Sequence, residues 1–123
     1  MASAIKSIFV IEDNEDIGFI LEYFLREEGF KVRLFASAED FTNAFKYEVP
    51  DIFLVDVMLP DGDGISLCNL IKHDSRSSEV PVLMMSAHSD EATVKRCKAE
   101  EFIPKPFDLF ELGITINHYL AAS

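Results

Sequence analysis

Positive charge is what this chain has least of. Only 11 lysines and arginines stand against 22 aspartates and glutamates in 123 residues, a formal net charge of -11. So acidic a balance argues against a nucleic-acid surface on this chain. Cysteine is scarce too. Cys68 and Cys97 fall in segments that pattern as helices and lack metal-ligand spacing, so they read as reduced, small core residues rather than a disulfide or a zinc site. No apolar run approaches the thickness of a bilayer; the longest, Ile52–Val55 and Val80–Met85, are a fraction of a span. The start, Met1-Ala2-Ser3-Ala4-Ile5-Lys6, has no apolar core of a signal peptide. Repeats, low-complexity tracts and linkers are also missing. These absences point to a cytoplasmic chain with no membrane contact. What is present suffices to fold: 49% of the residues are apolar and 27% charged, and residues 1–123 are the length of one domain with its own core.

Strand-like and helix-like segments alternate. Lys6–Ile11 is a compact apolar run that ends in Glu12-Asp13. Ile17, Ile20, Leu21, Phe24 and Leu25 then follow the spacing of an amphipathic helix. Gly29 stands where a left-handed cap would end it. Lys31–Phe35 predicts a second strand. Ser37, with Asp40 three residues on, predicts an N-cap for a helix through Phe41, Ala44 and Phe45, closed by Pro50. Asp51–Val57 is the most apolar strand, interrupted only by Asp56; Pro60–Gly64 is a loop, Ile65–Lys72 a short helix and Arg76–Glu79 a second loop. Val80–Ser86 reads as the fourth strand, Asp90–Ala99 as a weakly patterned helix, Phe102–Ile103 as the fifth strand and Asp108–Leu120 as the closing helix. Continuous apolar strands joined by helices imply a doubly wound α/β fold, a five-stranded parallel sheet with helices on both faces. In such sheets the site lies beyond the carboxyl ends of the strands.

The polar residues at those ends are Glu12, Asp13, Asp56, Ser86 and Lys105. A carboxylate after Phe53-Leu54-Val55 is costly unless partnered. Three converging carboxylates repel one another and raise each other's pKa. A divalent cation relieves this, and hard oxygen ligands with room for water suit Mg²⁺. Lys105 adds a fixed positive charge and Ser86 a hydroxyl donor. Such a group can receive a phosphoryl group: Asp56 attacks phosphorus in line, while Mg²⁺, Lys105, Ser86 and backbone N–H groups hold the transferred oxygens.

Four motifs in order carry a specific resemblance: Val10-Ile11-Glu12-Asp13-Asn14; Asp56-Val57-Met58-Leu59-Pro60 with Gly62-Asp63-Gly64; Met85-Ser86-Ala87; and Lys105-Pro106-Phe107. The sequence resembles a response-regulator receiver domain of bacterial two-component signalling, from Ile8 to Leu120. The resemblance implies the flavodoxin-like strand order 2-1-3-4-5. It implies Asp56 as phospho-acceptor, and Asp13, Asp56 and the Met58 carbonyl as Mg²⁺ ligands, with Glu12 acting through water. It implies Ser86 as switch hydroxyl, Phe102 as the aromatic that turns inward with it, and Lys105 as partner of the acceptor or of the phosphoryl oxygens. Met58 and His88, two residues past the acceptor and the switch serine, would flank the route of attacking water and tune it. The Lys105–Pro106 peptide would be cis. The partner would be a sensor histidine kinase or a histidine phosphotransfer protein, with room for a weak homodimer. The chain would be a signalling domain that catalyses only its own phosphorylation and dephosphorylation.

Other features bear on this reading. Phe19 and Tyr23 lie four apart, off the inward stripe of the first helix; Phe110 and Ile114 repeat the spacing on the last, where Leu109, Leu112 and Ile116 look inward. Both pairs are candidates for partner docking. Asp61 and Asp63 lack the downstream glutamate of a calcium loop and read as turn residues. Between Ala99 and Phe102 stands only Glu100-Glu101. The family usually has a small-Gly-Ala step before this acidic pair, so either the fourth helix ends early, without its glycine cap, or residues of that step are missing from the chain as given. The chain would carry no output domain after Leu120, as a stand-alone receiver or an excised one would. Two alternatives stay open: a phosphorylation-independent adaptor on the same fold, and a Mg²⁺-dependent phosphohydrolase with an aspartyl nucleophile. Against the second, such enzymes usually place another aspartate where this chain has Met58.

Overall fold

A computed structural model describes residues 4–87 and 95–122; His88 and residues 90–94 of the expected fourth helix lie outside them. The described strands are β1 (Ser7–Ile11), β2 (Lys31–Phe35), β3 (Ile52–Asp56), β4 (Met58–Leu59), β5 (Gly62–Asp63), β6 (Val82–Ser86) and β7 (Glu101–Pro104). The described helices are α1 (Glu15–Glu27), α2 (Ala38–Phe45), α3 (Gly64–His73) and α4 (Leu109–Ala122). The main sheet has the order β2-β1-β3-β6-β7, all pairs parallel. This is the expected 2-1-3-4-5 order once the small β4–β5 pair is set aside.

Every residue of β3 and of β6 is buried. Alternate residues of each strand feed opposite cores, as the two-residue period of a strand requires. Ile8, Val10, Ile52, Leu54, Leu83 and Met85 pack under α1 and α4 with Leu21, Leu25, Leu112 and Ile116. Phe9, Ile11, Phe53, Val55, Val82 and Met84 pack under α2 and α3. The second core is aromatic: Phe9 meets Phe35 edge-on at 4.9 Å, and Phe41 stacks with Phe45 at 5.2 Å. The strand β6 starts at Val82 rather than Val80, since Pro81 has no N–H for a ladder. Glu100 closes that end of the sheet. Its carboxylate accepts from the Val82 N–H at 2.7 Å and pairs with Lys72 Nζ at 2.8 Å.

Helix α1 begins at Asn14, whose side chain accepts from the Ile17 N–H at 3.0 Å. It ends as expected at Gly29, φ 97°. The Gly29 N–H reaches Arg26 O at 3.0 Å and the Phe30 N–H reaches Leu25 O at 3.1 Å, the paired bonds of a Schellman motif. One expectation fails here. Ile20 is exposed and does not face the sheet. The buried face of α1 is Gly18, Leu21 and Leu25, so Ile20 points away from it. Residues 95–99, expected to be helical, are turn and coil, so Cys97 does not sit in a helix there. Cys68 is buried in α3, and Cys97 is half-buried against the same cluster.

The loop expected at Pro60–Gly64 is more ordered than the sequence suggests. Met58 pairs with Asp63 and Leu59 with Gly62, a hairpin with Pro60-Asp61 at its tip. Asp63 caps α3 through the Ile65 N–H at 2.8 Å. Asp61 reaches across to α2 and accepts from the Ala38 N–H at 2.8 Å and the Glu39 N–H at 3.0 Å. Gly64 is required outright, because a Cβ there would lie 2.0 Å from the Asp56 carbonyl oxygen.

The Ala38 and then the Glu39 N–H groups hold the Asp61 carboxyl below its usual range. Its ionised form therefore contributes stability that is present above the ordinary aspartate value of about 3.9. That contribution is lost as pH falls through the lower folded value. The stability gap between wild-type and Asp61→Asn should close in strong acid. Urea midpoints measured across pH check this, and a gap that persists in acid would contradict it.

Candidate functional site

The carboxyl ends of β1, β3, β6 and β7 open into one cleft of about 500 Å³. Glu12, Asp13, Asp56, Met58, Ser86 and Lys105 all line it, so the residues expected at the strand ends come together. Each is placed by the backbone just before it. Glu12 follows the last residue of β1, and its N–H bonds to Phe35 O at 2.9 Å. Asp56 is the last residue of β3. Ser86 ends β6, and its carbonyl accepts the Lys105 N–H at 2.8 Å. The Lys105–Pro106 peptide is cis, as expected.

Lys105 Nζ lies 2.6 Å from Glu12 Oε1 and 2.8 Å from Asp56 Oδ2. The second oxygen of each acid has a backbone donor. Glu12 Oε2 accepts from the Asn14 N–H and Asp56 Oδ1 from the Met58 N–H, both at 3.1 Å. Glu12 and Asp56 are buried, while Asp13 is exposed at the rim. Burial pushes the Glu12 carboxyl up; the bond from Lys105 pulls it back, and Asp56 beside it pushes it up again, leaving it above the usual range. For Lys105, burial pulls downward, but the bonds to Asp56 and Glu12 outweigh it and hold the ammonium above the ordinary lysine value.

One ligand atom from each of Glu12, Asp13 and Asp56 lies within 4.8 Å of the others. Three carboxylates against one ammonium leave two negative charges over when all are ionised. The donor set is hard oxygen, open to water on the Asp13 side. It fits a divalent cation of the Mg²⁺ class in charge and in chemistry.

The other candidates are placed as follows. Phe102 is half-buried in β7, against the aromatic core. The Met58 side chain is 73% exposed. Phe19 and Tyr23 stack on each other on the open face of α1, with ring centres 6.4 Å apart. Phe110 and Ile114 are exposed on α4. The two helices meet between them, where Gly113 packs on the Phe24 ring. Ile17, Ile20, Pro106, Phe107 and Leu109 line a neighbouring apolar groove of about 520 Å³ that shares Ile17, Ala87 and Lys105 with the cleft. Sequence reasoning missed Asn14, Asp61 and Asp63 as caps. The first and last were findable, each standing just before an apolar helical run. Asp61 was not, because its partners lie more than twenty residues away.

Comparison with known proteins agrees with this geometry. The family model of the response regulator receiver domain matches residues 8–117. The chain is 36% identical over 118 residues to the transcriptional regulatory protein GltR of Pseudomonas aeruginosa, covering 94% of this chain and 49% of that protein. It is 37% identical over 120 residues to the DNA-binding transcriptional regulator NtrC of Proteus hauseri, covering 92% of this chain and 25% of that protein. The chain thus spans about half the length of the first relative and a quarter of the second. A solved receiver domain of a sensor histidine kinase from Pseudomonas aeruginosa, with a magnesium ion coordinated in its active-site cleft, superposes with a TM-score of 0.86 at 25% identity. That match covers 96% of this chain and 99% of the other.

Lys105→Ala would leave two buried carboxylates facing each other without a counter-charge. In metal-free buffer the variant should lose about 3 kcal/mol of stability. Added Mg²⁺ should restore more stability to the variant than it adds to wild-type, since the cation supplies the missing charge. Urea unfolding with EDTA and with Mg²⁺ reads both; a smaller Mg²⁺ effect in the variant would contradict the charge argument.

Proposed function

The chain belongs to the response regulator receiver domain family, and on that premise we propose that Asp56 accepts a phosphoryl group from a phosphohistidine. The donor is a sensor histidine kinase or a histidine phosphotransfer protein. The observation that carries this reading is the convergence of Glu12, Asp13, Asp56 and Lys105 at the strand ends. Glu12, Asp13, Asp56 and the Met58 carbonyl would hold Mg²⁺. When bound, that cation would neutralise charge on the acids and on the phosphoryl oxygens.

In the transfer, an Asp56 carboxylate oxygen attacks phosphorus in line. The new P–O bond forms as the P–N bond to the donor imidazole breaks, and the departing nitrogen takes a proton. The carboxylate becomes an acyl phosphate and loses its own charge. Lys105 then follows the negative charge to the phosphoryl oxygens, away from its 2.8 Å bond to Asp56. Ser86, buried at the end of β6, is the switch hydroxyl, and Phe102 on the paired strand β7 is the aromatic that moves with it. Water later cleaves the acyl phosphate, returning the carboxylate and inorganic phosphate. The exposed Met58 side chain stands beside Asp56 on the route of that water and tunes the lifetime; His88 is the second tuning residue.

Phe19 and Tyr23 guide the donor, since α1 runs from the rim of the cleft at Asn14. Phe110 and Ile114 extend that face across the helix seam. No helix among the described residues is long and apolar enough to cross a membrane, and we place the domain in the cytoplasm, where histidine kinases present their phosphohistidine.

Intact-mass spectrometry tests the assignment. Wild-type chain with a small phosphodonor and Mg²⁺ should gain one phosphoryl group, and Asp56→Asn should gain none. Phosphate on Asp56→Asn at the wild-type rate would make the acceptor assignment wrong. The double variant Phe19→Ala, Tyr23→Ala should react normally with the small donor and about tenfold more slowly with a phosphohistidine protein. Equal losses with both donors would assign the pair to the fold.

A further inference from the structure

The β4–β5 hairpin carries Met58 into the cleft, yet it has only two residues in each strand. A two-stranded ribbon that short does not hold itself. Its base is secured by the sheet. The Val57 N–H bonds to Met85 O at 2.9 Å, the Gly64 N–H to Val57 O at 2.8 Å, and Met58 N–H to Asp56 Oδ1. Its tip is secured by Asp61, which spends one carboxylate oxygen on Ala38 N–H and the other on Glu39 N–H.

These two amides are the first of α2, and the helix's own cap does not reach them. Ser37 Oγ accepts from the Asp40 N–H, one residue further in. Asp61 therefore adds to the Ser37 cap and does not duplicate it. The carboxylate also meets the positive end of the helix dipole. Hairpin and helix are in close contact beside it: a Cβ on Gly62 would stand 3.3 Å from the Ala38 Cβ.

We propose that Asp61 is a positioning residue for the cation end of the cleft, clamping the hairpin tip to α2 so that Met58 is held at its place beside Asp56. The inference rests on the reading of the cleft as a Mg²⁺ site. A merely structural role would amount to a lost helix cap, and Ser37→Ala produces that loss without touching the hairpin.

The test compares wild-type, Asp61→Ala, Asp61→Asn and Ser37→Ala in the full chain. Calorimetric titration with Mg²⁺ alone gives the Kd, and amide hydrogen exchange reports on the hairpin. Asp61→Ala should bind Mg²⁺ about tenfold more weakly. Asp61→Asn, which keeps one acceptor oxygen, should fall between it and wild-type. Ser37→Ala should bind as wild-type does, even though its helix is less stable. Exchange at Met58 and Gly62 should quicken in the Asp61 variants only. Unchanged Mg²⁺ affinity in Asp61→Ala, or an equal loss in Ser37→Ala, overturns the proposal. A wild-type chain that binds no Mg²⁺ overturns the reading of the cleft instead. The exchange data then decide the clamp alone: faster exchange confined to the Asp61 variants upholds it, and equal rates in all variants remove it.

Discussion

Everything at the working end of this molecule is organised around excess negative charge held out of water. Glu12 and Asp56 are buried, Asp13 crowds them from the rim, and Lys105 alone among the described residues lies between the two buried acids. A lysine with two carboxylates within 2.8 Å is not a surplus cation; it is the counter-charge that offsets part of their mutual repulsion. The cluster stays short of positive charge, and that shortage makes it receptive. A cation relieves it from one side. A phosphoryl group would act differently: it turns one carboxylate into a mixed anhydride and places a larger negative charge further out, where the cation and Lys105 would meet it.

The parallel sheet makes such a concentration of charge bearable. Strands β1, β3 and β6 are apolar along almost their whole length and anchored on both faces. The unfavourable groups sit only at their ends, where the buried apolar residues that precede them in each strand hold them in place. Two of the four motifs flank a residue that cannot hydrogen-bond through its own nitrogen or cannot bear a side chain: Pro106 in one, Gly64 in the other.

Much of this was legible in the sequence. Strand order followed from the resemblance, and the strand cores followed from unbroken apolar runs, with ends within a residue or two. The acidic group and Lys105 could be picked out because charges after such runs are costly. Four features were not legible. Ile20 fits a helical stripe by spacing, but the buried face of α1 is narrow, limited to Gly18, Leu21 and Leu25, and Ile20 lies outside it. The hairpin at Met58–Asp63 has no strand-like composition, and its pairing is imposed by the sheet before it and the helix after it. Asp61 acts on a helix distant in sequence, which no local pattern can reveal. The apolar stripe expected over Asp90–Ala99 is weak, and its described part, residues 95–99, is turn and coil.

Gly64 has a mechanical meaning as well as a steric one. With no room for even a methyl group between the start of α3 and the Asp56 carbonyl, the main chain of the acceptor is wedged against a helix end. The Asp56 main chain has a backstop on that side. On the proposed reading of Asp56 as acceptor it would act as an anvil, leaving the side of the neighbouring strands as the one on which a new phosphoryl group is accommodated. There lie Ser86, itself buried, and Phe102, half-buried on the edge strand β7. A fixed backstop beside an edge strand would give a small chemical change at Asp56 a preferred direction of travel, away from α3 and out along β6 and β7.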